Sequence, residues 1–135
     1  MGTGIIVDAD VIIRGEKGSF DFRGWCAGRT DDDFAVAAIT VAELWHGVER
    51  AGTAQRARRK RYLQAVISVM PVIAYTDRTA YLHAKVWAHL QATGRMIGYY
   101  DLLVAATALE LDYAVATFNT RHFEAVPGLK IMRPE

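Results

Sequence analysis

Four polar side chains follow predicted strands, or begin a predicted helix, in a way that indicates a shared site. Asp8 comes directly after a short apolar strand, and Glu43 comes soon after the second one. Asp101 lies in the first turn of the most apolar helix, and Asn119 follows a later strand by two residues. The functional crevice of an open parallel sheet lies outside the carboxyl ends of its strands, so we predict that these side chains lie together there.

Three carboxylates at one point predict a bound cation. Neighbouring carboxylates repel one another, which raises their pKa unless a positive charge lies between them. A donor set of oxygen atoms, without Cys or His, suits a hard ion such as Mg²⁺, for which Mn²⁺ can substitute. We predict that Asp8 and Asp101 bind this ion most directly. Glu43 either binds it as well or orients and deprotonates an attacking water.

Three further polar residues are candidates for the surroundings of the ion. Asn119 and Thr117 could position a water, a carboxylate or the substrate. Asp10 lies two residues after Asp8 and could do the same, or it could cap the turn that follows. Asp8 has the weakest structural explanation, because a charge directly after three apolar residues is costly unless it is paired or bound to metal.

The other two acids could serve helix N-termini instead. The helix after the second strand is predicted to begin at Thr40, where Thr40 and Glu43 match a capping box. Asp101 could complement the positive end of its own helix. That helix is apolar on all sides and is therefore predicted to be buried, where a carboxylate needs a partner.

Strands and helices are predicted to alternate along the chain. Strands are expected at 4–8, 34–39, 71–74, 114–117 and 129–132. Helices are expected at 11–17, 20–28, from 40, at 53–69, 77–93 and 98–111, and from 120. This alternation predicts parallel strands with right-handed crossovers, and therefore a three-layer α/β/α domain around a central, mainly parallel sheet of four to five strands.

Length and composition restrict the class of protein. The 135 residues predict a single domain over 1–135, and 52% hydrophobic with 23% charged residues excludes a disordered chain. A net charge of +1 means that any nucleic-acid site is local. The single cysteine, Cys26, excludes an intrachain disulfide and a zinc cluster of several cysteines. Because no targeting segment or membrane span is recognisable, we expect a cytoplasmic protein with no membrane partner.

Four blocks of sequence resemble one known family. They are Asp8-Ala9-Asp10-Val11-Ile12, Ile39-Thr40-Val41-Ala42-Glu43-Leu44, Ile97-Gly98-Tyr99-Tyr100-Asp101-Leu102-Leu103-Val104-Ala105-Ala106 and Ala116-Thr117-Phe118-Asn119-Thr120-Arg121-His122-Phe123. In this order and spacing they resemble the PIN domain, and most of all the VapC-type toxins of bacterial and archaeal toxin–antitoxin pairs. The resemblance implies a PIN-like nuclease domain, a Mg²⁺- or Mn²⁺-dependent endoribonuclease whose catalytic residues are Asp8, Glu43, Asp101 and Asn119.

Two positions depart from the commonest pattern of that family. Asp10 stands where Asn, Ser or Thr is common, and Asn119 stands where many members have an acid. The first change adds a possible ligand and the second removes one, so the choice between one metal ion and two stays open.

Contacts to RNA are predicted among basic side chains. Arg58 and Arg59 belong to the basic run 56–61, although a solvated helix face is the commoner explanation for such a run. Arg50 lies two helical turns after Glu43 and could line a groove leading from the metal site.

Aromatic and imidazole side chains are given structural interpretations. Tyr99 and Tyr100 flank the acid of the apolar helix and are predicted to pack in the core, with stacking on a base as the alternative. The histidines at 83, 89 and 122 show no ligand spacing with a pair of acids and are interpreted as structural.

The resemblance also implies protein partners. The helices at 53–69 and 77–93 carry more apolar residues than lone surface helices, among them Tyr62, Ile67, Tyr81 and Trp87. Together with the resemblance, this predicts a homodimer that is inhibited by a cognate antitoxin. Two other functions are open: a catalytically silent PIN-like module that binds RNA or protein, and a phosphatase resembling the haloacid dehalogenases, with Asp8 as its nucleophile.

Overall fold

A computed structural model describes residues 2–135 and has a parallel sheet at its centre. Its strands are β1 (Gly4–Val7), β2 (Asp33–Ala37), β3 (Val72–Ile73), β4 (Ala114–Ala116) and β5 (Ile131–Met132). They lie in the order β3-β2-β1-β4-β5, and every neighbouring pair is parallel. The predicted parallel sheet of four to five strands is therefore confirmed.

Helices connect the strands and cover both faces of the sheet. They are α1 (Ala9–Lys17), α2 (Phe22–Ala27), α3 (Ala38–Arg50), α4 (Thr53–Ser68), α5 (Asp77–Ala92), α6 (Tyr99–Leu111) and a short 3₁₀ helix (Thr120–His122). Ile5 and Val7 of β1 pack in a core with α1 to α4, whereas Ile6 packs in a second core with α5 and α6. Side chains alternate between the two faces of a strand, so the central strand serves both cores and the three-layer prediction is confirmed.

The register of the sheet brings the ends of its central strands together. Val7 pairs with Ala116, so the residues that follow them, Asp8 and Thr117, lie side by side at the carboxyl edge. The Asp8 backbone N–H donates to the Ala116 carbonyl at 3.0 Å, which extends the ladder by one step. The first acid of the sequence is thereby held at the rim of the sheet.

The predicted start of the third helix is wrong. The helix begins at Ala38, two residues before Thr40, and its N-cap, Ala37, makes no side-chain capping bond. The Thr40 side chain is buried, and its hydroxyl has no hydrogen-bond partner within residues 2–135. Small and apolar residues such as Ala38 and Ile39 suit a buried strand and a buried helical turn equally well, so their pattern does not mark the boundary. Glu43 therefore completes no capping box.

The helices fall short of what a membrane span needs in length and hydropathy. None of those in residues 2–135 is long and apolar enough to cross a membrane.

Candidate active site

One cavity at the carboxyl edge of the sheet brings the predicted acids together. It has a volume of about 490 Å³, and the predicted residues that line it are Asp8, Asp10, Glu43, Asp101 and Asn119. The rest of its wall comes from neighbouring residues in the same parts of the chain: Ala9, Ile13, Gly98, Tyr99, Tyr100 and His122. The segments that follow β1 and β4, the N-terminal turn of α6 and the first half of α3 thus each supply polar groups.

Thr117 links two of the carboxylates. Its hydroxyl donates to Asp8 Oδ2 at 2.9 Å and lies 3.4 Å from both carboxylate oxygens of Asp10. It also accepts a hydrogen bond from the Asn119 backbone N–H at 3.0 Å. A hydroxyl has a single proton to donate, so the shorter bond to Asp8 dominates. Thr117 therefore positions the first acid, as its predicted supporting role requires.

Asp10 is held by the loop after β4. Its Oδ2 accepts a hydrogen bond from the Phe118 backbone N–H at 2.9 Å. The N-cap of α1 is Asp8 instead, whose Oδ1 accepts from the Ala9 N–H at 2.9 Å. Asp10 therefore lies in the wall of the cavity and does not cap the turn.

His122 belongs to the site, and its interpretation as a structural residue is wrong. Its Nδ1 lies 2.9 Å from Asp101 Oδ2, and its ring lines the cavity. The 3₁₀ turn explains the placement, because residues three apart in such a turn share one side, and His122 comes three residues after Asn119. Acid–histidine spacing in the sequence does not reveal this pair, since its two members are 21 positions apart.

The two tyrosines before Asp101 are not core residues. Tyr99 is 74% exposed and Tyr100 is 54% exposed, and both line the mouth of the cavity. They fall on the solvent side of the first turn of α6, whereas Leu102 just after Asp101 is fully buried. The prediction of core packing is therefore wrong for this pair.

Burial and mutual repulsion weaken the acidity of the carboxyl groups. Burial first, and then the charge of Asp10, raises the pKa of Asp8 to about 6. Burial first, and then the charges of Asp8, Asp101 and Asp10, raises the pKa of Glu43 to about 7. Burial also raises the pKa of Asp10 and of Asp101, with His122 opposing the shift at Asp101. When all four ionise, the cavity holds more negative charge than its own cationic groups balance.

The donor set fits a hard divalent cation. Carboxylate oxygens are the ligands that such ions take, and a cation would relieve the repulsion that raises these pKa values. Within residues 2–135, no three of the Asp, Glu, His and Cys side chains are already arranged around a common ion position. Asp8 accepts a hydrogen bond from Thr117 and Asp101 contacts His122, so each of these carboxylates already has a partner in the protein.

The predicted basic contacts lie away from the cavity wall. Arg59 pairs with Glu16 at 3.0 Å and donates to the Gly47 carbonyl at 3.1 Å, which ties α4 to α1 and α3. Arg50 and Arg58 are exposed but do not line the cavity. Contact with RNA stays a prediction for these three, and Arg59 already has a structural role.

The raised pKa values predict an unusual dependence of stability on pH. The native carboxyl groups bind protons more tightly than the unfolded chain between about pH 4 and pH 7, so the free energy of unfolding falls as pH rises through that window. In chelator, the protein is expected to be about 2 kcal/mol more stable near pH 5 than near pH 8. Urea unfolding at both pH values measures this difference. Glu43→Gln should reduce it, and greater stability at the higher pH would contradict the assignment.

The chain matches known proteins over nearly its whole length. The family model described as the PIN domain matches residues 5–129. A ribonuclease VapC of Rickettsia bellii is 30% identical over 130 residues, which cover 96% of this chain and 95% of that protein. A tRNA(fMet)-specific endonuclease VapC of Salmonella typhimurium is 30% identical over 96 residues, 71% of each protein.

A solved structure supports the same grouping. The DNA-bound VapBC of Salmonella typhimurium matches with a TM-score of 0.88 and 26% identity, and the alignment covers 98% of both chains. The chain belongs to the PIN domain family, and the relatives named here are VapC ribonucleases. The resemblance of the four sequence blocks is thus confirmed, and family membership favours a nuclease over the phosphatase alternative.

Proposed function

We propose that this protein is a divalent-metal-dependent endoribonuclease that acts as the toxin of a type II toxin–antitoxin pair. The observation that carries the proposal is the cavity in which Asp8, Glu43 and Asp101 meet, with pKa values raised by burial and repulsion. The VapC ribonucleases among its relatives support cleavage of RNA. The acids at all three main positions favour an enzyme over a catalytically silent module.

Each polar residue of the cavity has a distinct part in this proposal. Asp8, Asp101 and Glu43 would hold Mg²⁺, with Mn²⁺ as a substitute. When bound, such an ion lowers the pKa of a water molecule and stabilises charge on the phosphate. Glu43 would either share in holding the ion or orient the attacking water and accept its proton. Asn119, at the exposed rim, would orient the water or the phosphate.

Thr117 and Asp10 would act through the other residues. Thr117 restrains the Asp8 carboxylate by the 2.9 Å hydrogen bond. Asp10 accepts a hydrogen bond from the Phe118 backbone N–H and so anchors the loop that carries Asn119.

The proposed inhibitor is a cognate antitoxin. The structure of the Salmonella typhimurium relative is a VapBC complex, which supports a partner of this kind. This chain has a groove of about 820 Å³ between α2 and α4, and its apolar lining includes Phe20, Phe22, Tyr62 and Val69. An extended or helical segment with apolar side chains would fit this surface, and an Arg or Lys from it could reach the carboxylates.

The proposed assembly is a homodimer. Tyr81 is 71% exposed and Trp87 is 40% exposed on α5, so part of the apolar surface predicted for this helix is uncovered in the single chain. Light scattering at micromolar concentration is expected to give twice the 15.0 kDa mass of the chain. A mass of one chain would contradict the dimer.

The function is tested by sequencing RNA 5′ ends after brief expression of the protein in its host. New ends at defined sites are expected with the natural protein and not with Asp101→Asn. Adding the product of the adjacent reading frame in excess should suppress them. An unchanged pattern of 5′ ends would contradict the nuclease, whereas cleavage that the second product does not reduce would contradict only the inhibitor.

A further inference from the structure

Two arginines meet at a phenylalanine beside the carboxylate cavity. Arg14, in the last turn of α1, places its guanidinium carbon 4.2 Å from the centre of the Phe118 ring. Arg133, just after β5, places its own 5.1 Å from the same point. The two residues are far apart in sequence, and neither belongs to the basic run 56–61. Only the fold makes them neighbours.

The Phe118 ring that both arginines contact is itself held by other groups. Phe118 packs edge-on against Phe20 at 5.2 Å, and its backbone N–H donates to Asp10 Oδ2. Its carbonyl accepts a hydrogen bond from Arg133 Nη1 at 2.8 Å. Phe118 lies between Thr117 and Asn119, so both guanidinium groups lie beside the loop that carries Asn119 into the cavity wall, although neither arginine lines the cavity itself.

The protein offsets the positive charge of this pair only in part, through the longer-range attraction between Arg14 and the Asp10 carboxylate. Within the described part of the chain neither guanidinium forms an ion pair, whereas Arg29 pairs with Asp32 and Arg59 with Glu16. Two guanidinium groups at one ring repel each other, and the ring faces offset only part of that cost. A planar guanidinium binds phosphate through two parallel hydrogen bonds, so an oxyanion is the ligand that suits the pair.

We propose that Arg14 and Arg133 bind a backbone phosphate of the RNA next to the phosphate that enters the carboxylate cavity. This inference rests on the proposed function and adds to it a path for the RNA across the protein surface. The RNA would run from the mouth lined by Tyr99 and Tyr100, across the carboxylates, to the arginine pair at Phe118. Contacts of this kind position the strand without reading its sequence.

The test is the binding of a labelled single-stranded RNA to the full chain in chelator, across a series of potassium chloride concentrations. Replacing both residues, by Arg14→Gln with Arg133→Gln, is expected to weaken binding about tenfold at low salt. The slope of log K against log salt should become shallower by about 0.7 for each phosphate that no longer has a cationic partner. In the cleavage assay, KM should rise by a similar factor while kcat stays within about twofold.

Matched variants separate this role from a structural one. Arg78→Gln removes one exposed charge from the first turn of α5. The next residue, Thr79, donates a hydrogen bond to Glu110 in the last turn of α6, and the cavity lies at the opposite, N-terminal end of that helix. This substitution should change neither affinity nor slope. Replacing both arginines by Lys keeps the charge but removes the two parallel hydrogen bonds of the planar guanidinium. The salt dependence of binding should therefore stay the same while the affinity falls. The exposed single variant Arg133→Gln serves if the double variant does not fold.

The outcomes distinguish this inference from the proposed function. Unchanged affinity and slope in the glutamine variants would overturn the phosphate site, even if the protein cleaves RNA. Loss of antitoxin binding with unchanged RNA binding would also overturn it, because the pair would then hold an acidic segment of the partner. Binding that depends on both arginines, in a natural protein that cleaves no RNA, would support the phosphate site and contradict the nuclease.

Discussion

Asp8→Asn and Asp101→Asn are each expected to lower the rate of RNA cleavage by at least about 100-fold while the chain stays folded. Both side chains supply carboxylate oxygens to the cavity, and an amide is a far weaker ligand for a hard cation. Asp8→Asn should also raise the midpoint of thermal unfolding in chelator. The reason is that burial and neighbouring charges raise the pKa of this carboxyl to about 6, so its ionised form destabilises the fold near pH 7.

Asp31→Asn is the matched control for these substitutions. Asp31 is exposed and precedes β2, at the opposite edge of the sheet from the cavity. It should leave both the cleavage rate and the thermal midpoint unchanged. If Asp8→Asn or Asp101→Asn cleaves RNA at the natural rate, the assignment of that residue is wrong.

Removal of divalent ions is expected to abolish cleavage, and added Mg²⁺ or Mn²⁺ should restore it. The carboxylate donors of the cavity suit these ions, whereas a native zinc site would need the Cys and His cluster that the sequence lacks. The same ions should raise the thermal midpoint of the natural protein, since a ligand that binds only the native state stabilises it. Asp101→Asn should show a smaller rise.

Undiminished cleavage in chelator would contradict this mechanism. The pair of Asp101 and His122, whose side chains lie 2.9 Å apart, would then be the first candidate for metal-free acid–base chemistry. Restoration by Zn²⁺ alone would contradict only the choice of ion.

The sequence alone predicted the layout of the fold and the acids of the site. Strand β1 ends in three β-branched residues followed at once by Asp8, and the ends of parallel strands meet at one edge whatever the details of packing. Asp101 lies in the first turn of the helix that leads into β4, so the alternation of helices and strands places it at the same edge. The blocks around these acids also indicated the PIN domain family, because their order and spacing are retained together.

Only the tertiary structure decided which other groups reach the site. His122 bonds to Asp101, and Arg14 and Arg133 meet at Phe118, through contacts between distant parts of the chain that no local periodicity encodes. The pairing of Arg59 with Glu16 likewise depends on how α4 packs against α1.

The exact ends of the helices, and which side of a helix faces water, also depend on tertiary packing. Ala38 and Ile39 fit a strand and a helical turn equally well, so only the contacts of α3 fix its start. Tyr99 and Tyr100 begin a helix that is apolar on all sides, and its sequence does not tell which residues of the first turn face water. Hydrophobic pattern determines that an element is buried, whereas its orientation and its polar contacts are set by the elements packed around it.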